Sequence, residues 1–138
     1  MQEFSGRTAV ITGGASGIGL GMARSFAKRG MQLVLADLDE GLLRAAEQEF
    51  SDAGVSVISQ ICDASKLEDI EHLAEATMDR FGSVHVVCSN AGVGIPTSAL
   101  NLKLSDWEWI INVDLWGPIY AVKTFLPLIE AQGEGHIN

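Results

Sequence analysis

The densest chemistry in the sequence is Thr12-Gly13-Gly14-Ala15-Ser16-Gly17-Ile18-Gly19. The apolar run Thr8-Ala9-Val10-Ile11 leads into it, and Ile18, Met22 and Phe26 leave it at every fourth position with Ala23 and Ala27 beside them. The glycines therefore stand where a strand ends and a helix begins. The first N–H groups of a helix have no partner within it, and the helix dipole is positive at that end. A phosphate can rest there if no side chain intervenes. Gly13 permits a tight turn, Gly17 lets backbone approach a ligand, and Gly19 lets helix pack on strand. A turn that merely needs glycines is the competing reading. Asp37, 18 residues past Gly19 at the end of the next apolar run, argues against it.

Asp37 can accept hydrogen bonds from both hydroxyls of an adenine ribose and would repel a 2′-phosphate. A solvated strand-end carboxylate or a helix cap is the plainer alternative. Asp63 also follows an apolar run, and on residue chemistry alone it is equally a turn aspartate before Ser65. In Asn90-Ala91-Gly92 the amide can tie strand ends together, while the glycine lets backbone come near a sugar. His72, His85 and His136 have no metal-ligand spacing, and no metal is expected. Trp107, Trp109 and Trp116 read as packing residues rather than a stacking platform.

These groups need a frame. Strands are expected at 8–12, 33–36, 55–61 and 84–88, nearly all apolar, as in a parallel sheet covered on both faces. Helices are expected at 16–29, from 39 to the Gly54 stop with Leu43, Ala46 and Phe50 inward, and at 65–81 behind the capping box Ser65-Lys66-Leu67-Glu68. That third helix should bury Leu67, Ile70, Ala74, Met78 and Phe81. Residues 89–104 read as a ligand loop. A second box, Ser105-Asp106-Trp107-Glu108, opens another helix, and Pro118 predicts a break near 112–117. The helix from there to 131 should bury Leu115, Ile119, Val122, Leu126 and Ile129. A fifth strand begins at 136–138. Short loops between alternating strands and helices imply right-handed β-α-β crossovers. The expected fold is α/β: a Rossmann-type doubly wound parallel sheet, strand order 3-2-1-4 with a truncated fifth strand, forming one domain over 1–138.

Composition narrows the partners. A chain of 138 residues with net charge −9 repels a phosphate backbone, so nucleic acid is not an expected partner. A single dinucleotide is held by local N–H groups and is not excluded. Met1-Gln2-Glu3-Phe4-Ser5-Gly6-Arg7 contains no apolar signal core, and 84–102, the least charged stretch, is broken by Gly92, Gly94 and Pro96. No membrane segment is expected. Cys62 and Cys88 are not in a C-x-x-C and read as buried free thiols in a reducing cytoplasm.

The spacing T-G-x-x-x-G-x-G, then Asp63, Asn90-Ala91-Gly92 and Asn112-Val113, resembles the short-chain dehydrogenases/reductases. The likeness runs the length of the chain and matches about the first half of such a protein. It implies an oxidoreductase moving a hydride between a nicotinamide cofactor and an alcohol or carbonyl substrate. It assigns cofactor contacts to Gly13, Ser16, Gly17, Ile18, Gly19, Asp37, Asp63, Ala64, Asn90, Ala91, Gly92 and Val113. Asp63 would meet the adenine amino group and Ala64 would offer a backbone N–H. Asn112 matches the asparagine that bends a helix and holds a proton-relay water. NADP-preferring relatives place a basic residue in the glycine loop or after the second strand; here Ala15, Ser16 and Leu38 stand there, so NAD is favoured over NADP.

The family's proton-transfer set is a serine and a Tyr-x-x-x-Lys pair beyond the fifth strand. Tyr120 and Lys123 are three apart and precede that strand, so they are not its counterpart. The chain reads as a cofactor-binding half, truncated before that set and inactive alone. The resemblance also makes the last helix part of a subunit interface, and a homo-oligomer is expected. A non-catalytic nucleotide-binding or oligomerising module is the alternative of another class.

Overall fold

The computed structural model describes residues 3–138; Met1 and Gln2, the start of the segment read as lacking a signal core, lie outside the described residues. The elements are β1 (Thr8–Thr12), α1 (Gly17–Ala27), β2 (Gln32–Asp37), α2 (Glu40–Asp52), β3 (Val57–Ile61), α3 (Leu67–Phe81), β4 (Val86–Cys88), α4 (Leu104–Ile111), a π-turn (Asn112–Trp116), α5 (Gly117–Gln132) and β5 (His136–Ile137). A short 3-10 turn, Ala99–Asn101, interrupts the loop before α4. All strand pairs are parallel, in the order β3-β2-β1-β4-β5. The doubly wound sheet is thus as the residue pattern implied, with β5 paired to β4 through His136 and Ile137.

Register explains why the central strands are largely apolar. Val10 pairs with Val34 and Val87, Val34 with Ile58, and Val87 with Ile137, so one row of side chains crosses the whole sheet. That row packs with Ile70, Leu73, Phe125 and Ile129 of α3 and α5. The alternate residues, including Ile11, Leu33 and Leu35, pack with Ala23, Leu43 and Phe50 of α1 and α2. Each side chain alternates faces along a strand, and both faces here are covered. Full burial of Phe125 contributes about 2–3 kcal/mol.

Several local expectations change. Ser65 does not cap α3: its hydroxyl donates to Asp63 Oδ1 at 2.6 Å, and Lys66 occupies the position before the helix. The carboxylate is the stronger acceptor and draws the hydroxyl away from the helix amides. Ser105 is likewise bypassed, because α4 starts one residue earlier and Asp106 accepts from Lys103 N at 2.8 Å. Near Pro118 the helical path widens rather than breaks: Gly117 N–H reaches Asn112 O, one residue beyond α-helical spacing. The wider turn absorbs the proline's missing donor.

The largest correction concerns α5. Its buried row is Gly117, Ala121, Phe125 and Ile129, whereas Leu115, Ile119, Val122 and Leu126 are exposed. Small residues bring this helix close: a Cβ on Gly117 would lie 3.1 Å from the Ala64 carbonyl oxygen. Proximity selected the row with glycine and alanine, not the row with most hydrocarbon. The three tryptophans read as packing residues are each more than two-fifths exposed. No helix among the described residues is long and apolar enough to cross a membrane.

Candidate functional site

A cleft of about 340 Å³ opens where the carboxyl ends of β1–β4 meet the start of α1. Gly13 (φ +64°) turns the chain out of β1, and Gly14 N–H holds the turn to β2 through Ala36 O at 3.0 Å. Ser16 precedes α1 with an extended backbone and its side chain makes no capping bond; the first turn contains no acidic residue. The first amides of α1 are therefore left for a ligand. Gly17 (φ +51°) has nothing within 4 Å of where a Cβ would sit, so backbone can be approached there. Ile18, expected on the inward stripe, is 78% exposed and lines the cleft instead. Gly19 is the one assigned cofactor residue that does not line it. It lies beneath, against the Gly13 carbonyl, so its close contact is with the loop itself rather than with strand packing.

Asp37 is held at the end of β2. Its Oδ2 accepts from Ala15 N (3.2 Å) and its Oδ1 from Leu38 N (2.8 Å) and Asp39 N (3.3 Å). A carboxylate has about four acceptor positions and three are taken here, so about one remains for a ligand hydroxyl. Asp63, at the end of the β3 segment, accepts from Ser65 N and Oγ and lies 3.6 Å from Lys66 Nζ. Partial burial pushes its carboxyl pKa up, but the Ser65 hydrogen bonds and the Lys66 charge outweigh this and hold it below its ordinary value. Beside it the Cys62 thiol is pushed up to about 12 by burial, then by Asp69 and Asp63. Cys62 lines the cleft as an inert thiol rather than a nucleophile.

A clasp joins the β1 and β4 ends. Thr12 Oγ1 accepts from Asn90 N (3.0 Å) and Ala91 N (3.1 Å) and faces Cys88 O (3.4 Å). Asn90 Nδ2 donates to Thr12 O (3.1 Å) and Gly13 O (3.2 Å). Both amide hydrogens of Asn90 are thereby committed to the glycine loop, which fixes where the loop's free amides point. Ser16, Gly17, Asp63, Ala64, Ala91, Gly92 and Val113 all line the same cleft. Asn112 does not reach it: the side chain is exposed, and the residue serves the π-turn through its carbonyl. Asp114 is the residue that reaches across, accepting from Val93 N at 2.8 Å. Thr12, Asp114 and Trp109 were not assigned to the site from sequence. Thr12 offered a local signal, a hydroxyl on the last residue of a buried strand.

Residues 7–137 match the family model described as short chain dehydrogenase. The chain belongs to the short-chain dehydrogenase family. It is 33% identical over 132 residues to the CLA biosynthesis dehydrogenase/reductase of Lactiplantibacillus plantarum, covering 96% of this chain and 46% of that protein. A short-chain dehydrogenase/reductase from Burkholderia phymatum, solved in complex with NAD, is 40% identical with a TM-score of 0.96, over 99% of this chain and 49% of that one. A metagenomic short-chain oxidoreductase solved with NADP is 35% identical with a TM-score of 0.90, over 97% and 61%. The chain spans about half the length of the curated relatives it matches.

Apart from Gly19, the residues to which the short-chain dehydrogenase resemblance assigns cofactor contacts line this one cleft. The Tyr120/Lys123 pair stays apart from it. Tyr120 stacks on Trp116 with ring centroids 5.7 Å apart and packs against the α3–α5 core, and neither Tyr120 nor Lys123 lines the cleft.

Proposed function

We propose that residues 1–138 form the dinucleotide-binding domain of an NAD-dependent oxidoreductase acting on an alcohol or carbonyl. One observation carries the reading: the uncapped, acid-free start of α1 opens into the cleft beside an oriented Asp37 carboxylate. The pyrophosphate would lie on the α1 amides and a ribose hydroxyl on Asp37. Gly13, Ser16, Gly17 and Ile18 would border the phosphates, Asp63 and Ala64 the base, and Asn90, Ala91, Gly92 and Val113 the remaining wall. When bound, the nicotinamide supplies the hydride acceptor or donor. What this chain's residues do is hold and orient it. NAD is preferred because no basic residue stands at Ala15, Ser16 or Leu38 to receive a 2′-phosphate. The complex of the Burkholderia phymatum relative with NAD supports this choice.

The test is titration of the 138-residue chain with NADH, followed by nicotinamide fluorescence. Saturable binding, weaker for NADPH, is expected, with no alcohol turnover by this chain alone. A folded chain that binds neither dinucleotide overturns the reading.

The same proposal includes self-association through α5, whose exposed Ile119, Val122 and Leu126 form an apolar face with Leu115 of the π-turn. Sedimentation velocity at tens of micromolar should show a dimer or larger species, and Ile119→Glu with Leu126→Glu should reduce it to a monomer. A wild-type monomer would contradict this. The non-catalytic module shares that surface but requires no dinucleotide, so NADH titration separates the two. Buried, unpaired Cys62 and Cys88 support a reducing, cytoplasmic setting.

A further inference from the structure

We infer that Trp109 forms the outer wall of the adenine subsite and that the base stacks against its indole. The inference rests on the cofactor reading above. Of the three tryptophans, Trp109 alone lines the cleft; Trp116 is stacked on Tyr120, and Trp107 lies outside the lining. Trp109 is four residues before Val113, so the two share a helix face. Val113 is buried and lines the cleft with it.

Trp109 lines the same cleft as Cys62, Asp63 and Ala64 of the β3 end. The start of α5, directly after the π-turn, is seated on the loop beyond β3, where a Cβ on Gly117 would come within 3.1 Å of Ala64 O. Asp37 at the end of β2 marks the ribose nearest that side. A base leaving that ribose away from β1 must pass over the β3 end, where Cys62, Asp63 and Ala64 line the cleft. Leu38, 61% exposed, enters the same cleft from the β2 end, and Trp109 is 45% exposed. Leu38 and Trp109, together with Ile18, are large exposed apolar groups lining the cleft, and a flat ring with apolar faces would cover them. An indole face suits a purine, and stacking of this kind does not depend on particular hydrogen-bonding edges.

The experiment is calorimetric titration of wild-type, Trp109→Ala and Trp109→Phe chains with 5′-AMP and with NAD. Trp109→Ala should weaken both ligands by the same factor, about tenfold, and Trp109→Phe by less, because a smaller ring still stacks. Unchanged AMP affinity in a folded Trp109→Ala chain overturns the inference, as does a loss confined to NAD. Should Trp109→Ala fail to fold, the Trp107→Phe/Trp116→Phe chain leaves Trp109 as the only indole. AMP must then quench its emission, and an unaltered spectrum at saturation refutes the stacking. Wild-type protein that binds neither AMP nor NAD refutes the cofactor reading itself, whereas normal binding with no effect at Trp109 refutes only this inference.

Discussion

Gly19→Ala should abolish measurable dinucleotide binding and lower the melting temperature by about 10 °C. The added methyl would lie against the Gly13 carbonyl oxygen, well inside van der Waals contact, and 2.8 Å from Asn90 Nδ2. Neither neighbour can retreat cheaply. The Gly13 carbonyl accepts from Asn90, and the next residue is bonded to Ala36 O in β2. The start of α1 must therefore move away from the β1 end, taking with it the amides proposed to hold the phosphates. Overpacking against fixed backbone costs about 2–3 kcal/mol. At about 4 °C per kcal/mol for a chain of this size, that is the stated shift. Gly21→Ala is the control. It lies on the exposed side of α1 with nothing within 4 Å, so alanine should stabilise the helix by about 0.5–1 kcal/mol and leave binding intact. Thermal melts and NADH titrations of both variants check this. A Gly19→Ala chain with wild-type melting and affinity would mean the loop is not the rigid cradle described.

Asp37→Ala should lower NADH affinity about 10–100-fold, the size of one charge-assisted hydrogen bond lost to the ribose. NADPH affinity should fall far less or rise, because the carboxylate that repels its 2′-phosphate is gone, so the preference for NADH should shrink to a few-fold. Asp37→Asn separates charge from shape. It keeps one acceptor oxygen for the Leu38 and Asp39 amides but turns an NH2 donor toward Ala15 N–H, so melting should fall by a few degrees while discrimination relaxes. Equal losses for both dinucleotides in Asp37→Ala would assign the residue to loop support alone. No change for either would remove it from the ribose site.

Both predictions concern residues that could be found without coordinates, and the reason is local. A strand running into a helix through φ-positive glycines is a short-range backbone requirement, and an acid at the end of an apolar run marks the strand's carboxyl rim. Short-range periodicity and crossover handedness gave a parallel α/β sheet, and the order of its strands came from the Rossmann type that the glycine loop resembles. Asn112 shows the limit. It lies in the bent turn as expected, yet Asp114, two residues on and so on another face of the helical path, is the one bonded to the cleft loop.

What the residues alone determined is therefore the strand–turn–helix at Gly13 to Gly19 with Asp37 at the next strand's end, set by backbone chemistry within a few positions, whereas Asp63 and Asn90-Ala91-Gly92 needed the family resemblance. Tertiary structure alone decided which face of α5 is buried, that Ser65 serves Asp63 rather than a helix end, that Thr12 and Asn90 lock the loop, and that Trp109 borders the cleft. Those outcomes are competitions between partners distant in sequence. Gly117 against Ala64 outweighed a more hydrophobic row, and a nearby carboxylate outweighed a capping pattern. Hydrophobicity and spacing name the competitors, but only the packed chain brings them close enough for one to prevail.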